Sequence, residues 1–194
     1  MDLDNIRIGF AMTGSFCTFS NAFEAAQKLI DSGAKLTPIM SFNASSINSR
    51  FGKAKDHIAK IEQICSNKAI LTIEDAEHIG PKSLFDIVIV CPCTGNTMAK
   101  LALGITDTPT TMSVKANLRN GKPVVLCSAT NDALSASAKN IGALMNTKGY
   151  YFVPLFQDDY KNKQTSLVAD FSLITQTIKC ALDGVQIQPV LKTI

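Results

Sequence analysis

The sequence predicts a three-layer α/β fold, a parallel sheet with helices on both faces. Three observations predict it. The runs Ile6–Ala11, Asp86–Cys91 and Lys122–Cys127 are short and apolar, as strands covered on both faces are. Between such runs, apolar residues recur at helical spacing. The runs at Ala11, Cys91 and Cys127 are followed by Gly, Ser, Thr or Asn, the residues that turn a chain from strand into helix. Alternation of this kind builds a parallel sheet through helical crossovers.

The elements follow in order. Ile6–Ala11 is a buried strand, followed by Thr-Gly-Ser. Phe19, Phe23, Ala26 and Ile30 mark a helix, with Ser20 a candidate N-cap and Gly33 a stop. Lys35–Met40 is the second strand, and Pro38 argues for a place at or near the sheet edge. SFNASSINSRFGK is polar and reads as a loop. Ile58, Ile61 and Cys65 mark a helix, and Ala69–Ile73 reads as a short strand. Asp86–Cys91 is the central strand, and Met98, Leu101, Ala102 and Ile105 stripe the helix after it. Lys122–Cys127 is another buried strand, followed by a stripe of Leu134, Ala138, Ile141 and Met145. Tyr151–Leu155 reads as the last strand. Val168, Phe171, Ile174, Ile178 and Leu182 mark a C-terminal helix that stops at Asp183-Gly184. No repeat or linker divides the chain, so residues 1–194 are expected to form a single domain.

Composition narrows the function. The chain is 46% hydrophobic and 18% charged, with a net charge of +3. A balance this mild suits a small acidic ligand; a nucleic-acid backbone calls for basic runs that are absent from the sequence. There is no run of about 18 apolar residues, so no membrane span is expected. MDLDNIRIGF is acidic and leads straight into a strand, unlike a signal peptide. The six cysteines are Cys17, Cys65, Cys91, Cys93, Cys127 and Cys180, and several of them sit in apolar segments. That pattern suits reduced thiols in a cytoplasmic protein.

Ligands of parallel sheets bind at the carboxyl ends of the strands. The loops after Phe10, Met40, Cys91 and Cys127 are therefore the candidate site. Cys91-Pro92-Cys93 has the wrong spacing for zinc or for a thioredoxin-like pair, and the only histidines are His57 and His78, so no metal is expected. Thr94-Gly95-Asn96-Thr97 opens a helix. Its free first-turn N–H groups and the positive end of the helix dipole suit a phosphate or carboxylate. Thr and Asn also cap helices with no ligand present, so this motif alone leaves both readings open. Thr13-Gly14-Ser15 follows the first strand but is neither a dinucleotide fingerprint nor a P-loop. Ser41-Phe42-Asn43 and Ser128-Ala129-Thr130-Asn131-Asp132 complete the rim. Four polar loops converging on one edge exceed what capping alone requires.

The block from Pro92 to Asp107, PCTGNTMAKLALGITD, resembles the Pro-Ala-Ser-Ala-Asn-Thr motif and following helix of the homo-oligomeric flavin-containing cysteine decarboxylase family. The resemblance implies a Rossmann-like (flavodoxin-like) sheet that binds FMN. It places Thr13, Gly14 and Ser15 on the phosphate-side loop and Ser41 on the flavin-facing position after the second strand. Cys93, Thr94, Gly95, Asn96 and Thr97 fall on the Asn-Thr motif. Ala129, Thr130 and Asn131 fall on the loop facing the other side of the flavin. Two departures stand out. Ser128-Ala129-Thr130-Asn131 replaces a Pro-x-Met-Asn pattern, and Cys93 replaces a small alanine and narrows the expected pocket.

One branch of the family is more similar, over nearly the whole chain, through GFAMTGSFCT, the SRFG and QDD loops and the tail QTIKCALDGVQIQPVL. That likeness implies a flavin-type subunit working with a partner subunit that binds NADP or NAD. The pair would oxidise a small cyclic dicarboxylate to an aromatic pyridine. Arg50, Lys53 and Arg119 are the candidate carboxylate ligands, since cations pair with carboxylates and Arg does so bidentately. Asp132 is a weak candidate base from its rim position. Two other readings remain beside this one. The chain is a decarboxylase, supported by His78 and Asn131, or a non-catalytic partner subunit. The resemblance also implies a homo-oligomer, a trimer or dodecamer, with flavin sites between subunits.

Overall fold

The computed structural model describes residues 3–192. Five strands form the parallel body of the sheet: β1 Arg7–Met12, β2 Lys35–Met40, β3 Ile87–Cys93, β4 Val124–Thr130 and β5 Tyr150–Phe152. Their spatial order is β2-β1-β3-β4-β5. Every residue of β3 is buried. Large apolar side chains gain about 1.5–3 kcal/mol each on full burial, so this strand anchors the core. Arg7 and Asp86 tie the opposite edge together: two guanidinium nitrogens donate to the carboxylate at 3.1 and 2.7 Å.

The helices are α1 Phe19–Asp31, α2 Phe42–Ser46, α3 Ala54–Cys65, α4 Ile73–Glu77, α5 Ile79–Lys82, α6 Gly95–Ala102, α7 Pro109–Arg119, α8 Ala138–Met145 and α9 Ile174–Leu182. α1 packs against α3 and α9; α7 packs against α4, α5 and α6, and α6 against α8. Helices thus cover both faces, and none is long and apolar enough to cross a membrane. β2 lies at the end of the sheet path, where Pro38 leaves no missing ladder bond.

The sheet departs from a purely parallel one beyond β4. The end of β4 pairs antiparallel with β7, Leu167–Ala169, and β7 pairs with β6, Leu155–Phe156. The helix expected from Val168 therefore begins only at Ile174. Asp170 explains the break: its carboxylate accepts from the Ser172 backbone N–H at 3.0 Å, capping a 3-10 turn before α9. The expected strand Tyr151–Leu155 is split by Val153-Pro154 into β5 and β6. Ala69–Ile73 contributes only a single bridge, Ile39 to Ile70, because Thr72 caps α4 immediately afterwards. The loop SFNASSINSRFGK contains α2, capped by Ser41. Ser20 lies inside the first turn of α1, after a 3-10 turn at Phe16–Thr18, whereas Gly33 ends that helix with φ +88° as expected. Ile105 lies beyond the end of α6, and Leu134 and Met145 are exposed, so these three leave the apolar stripes assigned to them.

The sequence reading passes over α7 altogether. Its buried residues are Pro109, Thr110, Thr111, Ser113, Val114, Ala116 and Asn117; Val114 is the one large aliphatic side chain among them, too little to read as a hydrophobic stripe, and four of the others are polar. These polar groups bury because most of them bond locally: Ser113 Oγ donates to Pro109 O at 2.7 Å and Asn117 Nδ2 to Pro123 O at 2.9 Å. The signal available was Thr108-Pro109, an N-cap followed by a first-turn proline.

Candidate flavin-type site

In a β2-β1-β3-β4-β5 sheet the chain leaves β1 and β3 toward opposite sides, opening a crevice at their carboxyl ends. Thr13 stitches the two strands together beneath it. Its hydroxyl donates to Pro92 O at 2.8 Å and accepts from the Thr94 backbone N–H at 3.0 Å. Thr13 is 1% exposed, so its expected role as a ligand contact becomes a structural one.

Two cavities open above the crevice, and both are lined by Gly14 and Thr94. The smaller, about 320 Å³, is lined by Ser41, Phe42, Asn43, Asn96, Thr97, Lys100, Asp107 and Thr108 besides those two. Thr94 and Thr108 are the N-caps of α6 and α7, so two helix mouths share this pocket. Thr94 Oγ1 takes the Thr97 N–H at 3.3 Å, which leaves the Gly95 and Asn96 amides without an intrahelical partner. Lys100 adds a cation, held by Asp107 at 2.7 Å. Hydroxyls, free amides and an ammonium are the donor set a phosphate monoester takes.

The larger cavity, about 750 Å³, runs over Ser15, Phe16 and Cys17 to Arg50 and Phe51, and to Ala129, Thr130, Asn131, Asp158, Lys163 and Ser166. Its volume lies in the upper part of the range of ligand pockets, roughly 300–1,000 Å³. Phe16 and Phe51 offer flat apolar walls, and the Arg50 guanidinium lies over the Phe51 ring at 4.9 Å.

Most of the rim residues read from sequence do meet here: Gly14, Ser15, Ser41, Thr94, Asn96, Thr97, Ala129, Thr130, Asn131 and Arg50 line one cavity or both. Others do not. Cys93 is fully buried in the core and lines neither cavity; burial pushes its thiol pKa up. Gly95 lacks a side chain for packing rather than for a ligand. A Cβ there would lie 2.6 Å from Ser137 Oγ and 2.9 Å from Thr130 Oγ1. Asp132 accepts from Thr130 Oγ1 at 2.5 Å and Ser137 Oγ at 2.8 Å. Those bonds, the Thr130 one foremost, lower its pKa, which suits a buttress and not a base. Lys53 is exposed ahead of α3 and lines neither cavity. Arg119 ends α7, at the opposite edge, because a crossover helix returns the chain to the start of the next strand. His78 is exposed between α4 and α5 and lines neither cavity, so of the pair supporting decarboxylation only Asn131 faces the cleft. Phe16, Phe51, Lys100, Thr108, Asp158 and Lys163 were missed. Lys163 gave no local signal, since it reaches the cleft only through the β6–β7 pairing.

The loop bearing Arg50 and Phe51 rests on His57. Gly52, at φ +138°, packs so closely that a Cβ would lie 2.7 Å from His57 Cε1. His57 is 8% exposed, meets Phe19 edge to face with ring centroids 4.9 Å apart, and its Nε2 has no hydrogen-bond partner among the described residues. Burial lowers its pKa, opposed by Asp56 and assisted by Lys60. The folded state therefore binds this proton less readily than the unfolded chain. The stability this contributes is present above the unfolded value of about 6.5 and is lost as pH falls below it. The difference in melting temperature between about pH 7.5 and pH 5.5 is expected to shrink in His57→Phe relative to wild type. Equal differences in the two proteins would remove His57 from the acid response.

A donor-lined pocket beside an aromatic-walled cleft at the carboxyl edge of this sheet is the arrangement of a flavoprotein-type α/β domain. The sequence model of the Flavoprotein family matches residues 1–179, and the chain belongs to that family. Among curated proteins it is similar to the B subunit of dipicolinate synthase from Bacillus subtilis (strain 168), 44% identical over 185 residues, covering 95% of this chain and 92% of the relative. The crystal structure of the B subunit of dipicolinate synthase from Bacillus halodurans C superposes with a TM-score of 0.91 at 40% identity, covering 100% of this chain and 99% of that one. The FMN-dependent cysteine decarboxylase SpaF shares the fold, with a TM-score of 0.70 at 22% identity, covering 92% and 98%.

Proposed function

We propose that the chain is the flavin-binding subunit of a dipicolinate synthase. It acts with the A subunit of that enzyme, which carries NADP or NAD. Together they oxidise dihydrodipicolinate, a lysine-pathway intermediate, to dipicolinate, pyridine-2,6-dicarboxylate. The setting is sporulation, in the mother-cell cytoplasm. The observation that carries the reading is a pair of cavities that share Gly14 and Thr94 in their walls, one rich in phosphate-type donors and the other walled by Phe16 and Phe51. Likeness to B subunits of dipicolinate synthase supports this choice of reaction.

The donor set fits FMN. Ser41, Thr94, Thr108, Lys100 and the α6 mouth would hold its phosphate, and the larger cleft would receive its ring. When bound, FMN supplies a two-electron acceptor for a reaction that removes two hydrogens from the substrate ring. The chain's own residues orient the reactants. Arg50 meets a carboxylate, Phe16 and Phe51 flank the flat ring, and Asn131, lining the same cleft, offers an amide. Phe42, Ile47 and Phe51 are 42–46% exposed beside the cavities, a surface that a second copy in a homo-oligomer, trimer or dodecamer, would cover.

The test is an FMN titration of the purified chain, read by flavin fluorescence and visible absorbance. One FMN per chain is expected, with Asn96→Ala weakening binding roughly tenfold, the value of one charge-assisted hydrogen bond. Absence of binding, even with the partner A subunit and dihydrodipicolinate present, would move the redox step to the partner's nicotinamide. The chain would then be a non-catalytic subunit on a flavoprotein fold.

A further inference from the structure

We propose that Lys163 is the second carboxylate anchor of the cleft, paired with Arg50 so that the site selects a flat ring bearing two carboxylates over one bearing a single carboxylate. The proposal rests on the dicarboxylate reading above and names the residue that sets its specificity. Arg50 and Lys163 are the cations among the residues lining the large cleft. They come from different elements, Arg50 from the α2–α3 loop and Lys163 from the β6–β7 loop. Phe16, Phe51, Ala129 and Val168 line the same cleft and supply the apolar surface a planar ring requires.

Lys163 is preorganised. Its ammonium donates to Asp158 Oδ2 at 3.0 Å, and Ser166 Oγ donates to Asp158 Oδ1 at 2.9 Å. An ammonium has three donors, so this pair leaves two for a ligand. The lysine side chain is 56% exposed, and the pair itself contributes little to folding. A substrate carboxylate adds a second anion to an ammonium that is already placed. Asp158 is the positioning residue and Lys163 the contact. One carboxylate on Arg50 fixes the ring to one side of the cleft; the second, on Lys163, fixes its rotation. The antiparallel β6–β7 extension of the sheet thus brings a specificity residue to the rim.

The experiment titrates the FMN-saturated chain, and separately the chain without FMN, with pyridine-2,6-dicarboxylate and with pyridine-2-carboxylate. Wild type is expected to bind the dicarboxylate at least about tenfold more tightly than the monocarboxylate. Lys163→Met should erase that preference while FMN affinity stays within about twofold, and Lys163→Arg should restore it. The FMN titration of each variant reports that it is folded. A preference intact in Lys163→Met, an equal loss for both ligands, or a wild type that binds neither would overturn the proposal. Failure of FMN to bind, with the dicarboxylate preference retained and lost on Lys163→Met, would overturn the flavin reading and leave the anchor standing.

Discussion

Gly95→Val is expected to lower FMN affinity at least about 100-fold and to destabilise the fold by about 1–3 kcal/mol. A Cβ at this position would stand 2.6 Å from Ser137 Oγ, 2.9 Å from Thr130 Oγ1 and 3.0 Å from Asp132 Oδ1. The three atoms cannot step aside cheaply. They sit on short side chains, and both hydroxyls are already bonded to that carboxylate oxygen. Either this cluster opens or the first turn of α6 moves, and that turn carries Asn96 and Thr97 into the smaller cavity. Helix propensity opposes the effect only weakly, since replacing glycine in a helix gains at most about 1 kcal/mol. Gly95→Ala should act in the same direction with a smaller loss. Flavin fluorescence titration and thermal melting read the two consequences separately. An affinity within about threefold of wild type in Gly95→Val would show that the cluster yields without moving the helix mouth.

Thr13→Val is expected to cost about 1–3 kcal/mol of folding stability, although it preserves shape and apolar volume. The hydroxyl is nearly inaccessible and works in both directions, donating to Pro92 O and accepting from the Thr94 N–H. The carbonyl keeps a second donor, the Thr13 N–H at 3.2 Å. The Thr94 amide loses the only partner that Thr13 gives it, and an orphaned donor in a partly buried strand end carries the full desolvation cost. Thr94 lines both cavities, so the substitution should also weaken FMN binding. Thr13→Ser keeps the hydroxyl and should lose only about 0.8 kcal/mol for one buried methyl. Urea denaturation of the three proteins decides the matter. A valine variant as stable as wild type would show that the stitch between β1 and β3 is not needed.

The residues themselves show why some features were legible and others were not. β3 was legible because a strand buried on both faces is an unbroken apolar run, with Ile87, Val88, Ile89 and Val90 all 0% exposed. The rim was legible because a parallel sheet binds at its carboxyl edge, so the loops after β1, β2, β3 and β4 were the place to look. α7 was not, because its buried residues are mostly threonine, serine and asparagine with Val114 the one large aliphatic among them, and most of its polar groups find partners only once the helix has formed. The helical stripe through Val168 was misleading for a local reason. Spacing continues through Asp170, whereas the carboxylate cap there breaks the helix and leaves Leu167–Ala169 to pair with β4. Thr13, Cys93, Gly95 and Asp132 lie at or just after strand ends in the sequence, yet none of them lines either cavity: Thr13 and Cys93 are buried, Gly95 packs against Ser137 and Thr130, and Asp132 accepts from those two hydroxyls.

By itself, the sequence determined the α/β class, the central strands, the edge that carries the site and the Thr94-Gly95-Asn96-Thr97 helix mouth. Each is a local property, set by hydrophobic period or capping chemistry within a dozen residues. Only the tertiary structure decided which rim residues face the cavities, that Arg119 lies at the far edge, and that Lys163 stands in the cleft with Arg50. Those facts depend on residues far apart in the chain being brought together, as when Thr165 Oγ1 donates to Asn131 O 34 positions away, or when Arg50 and Lys163 line the same cavity. Such distances are closed by packing, and no local pattern encodes them.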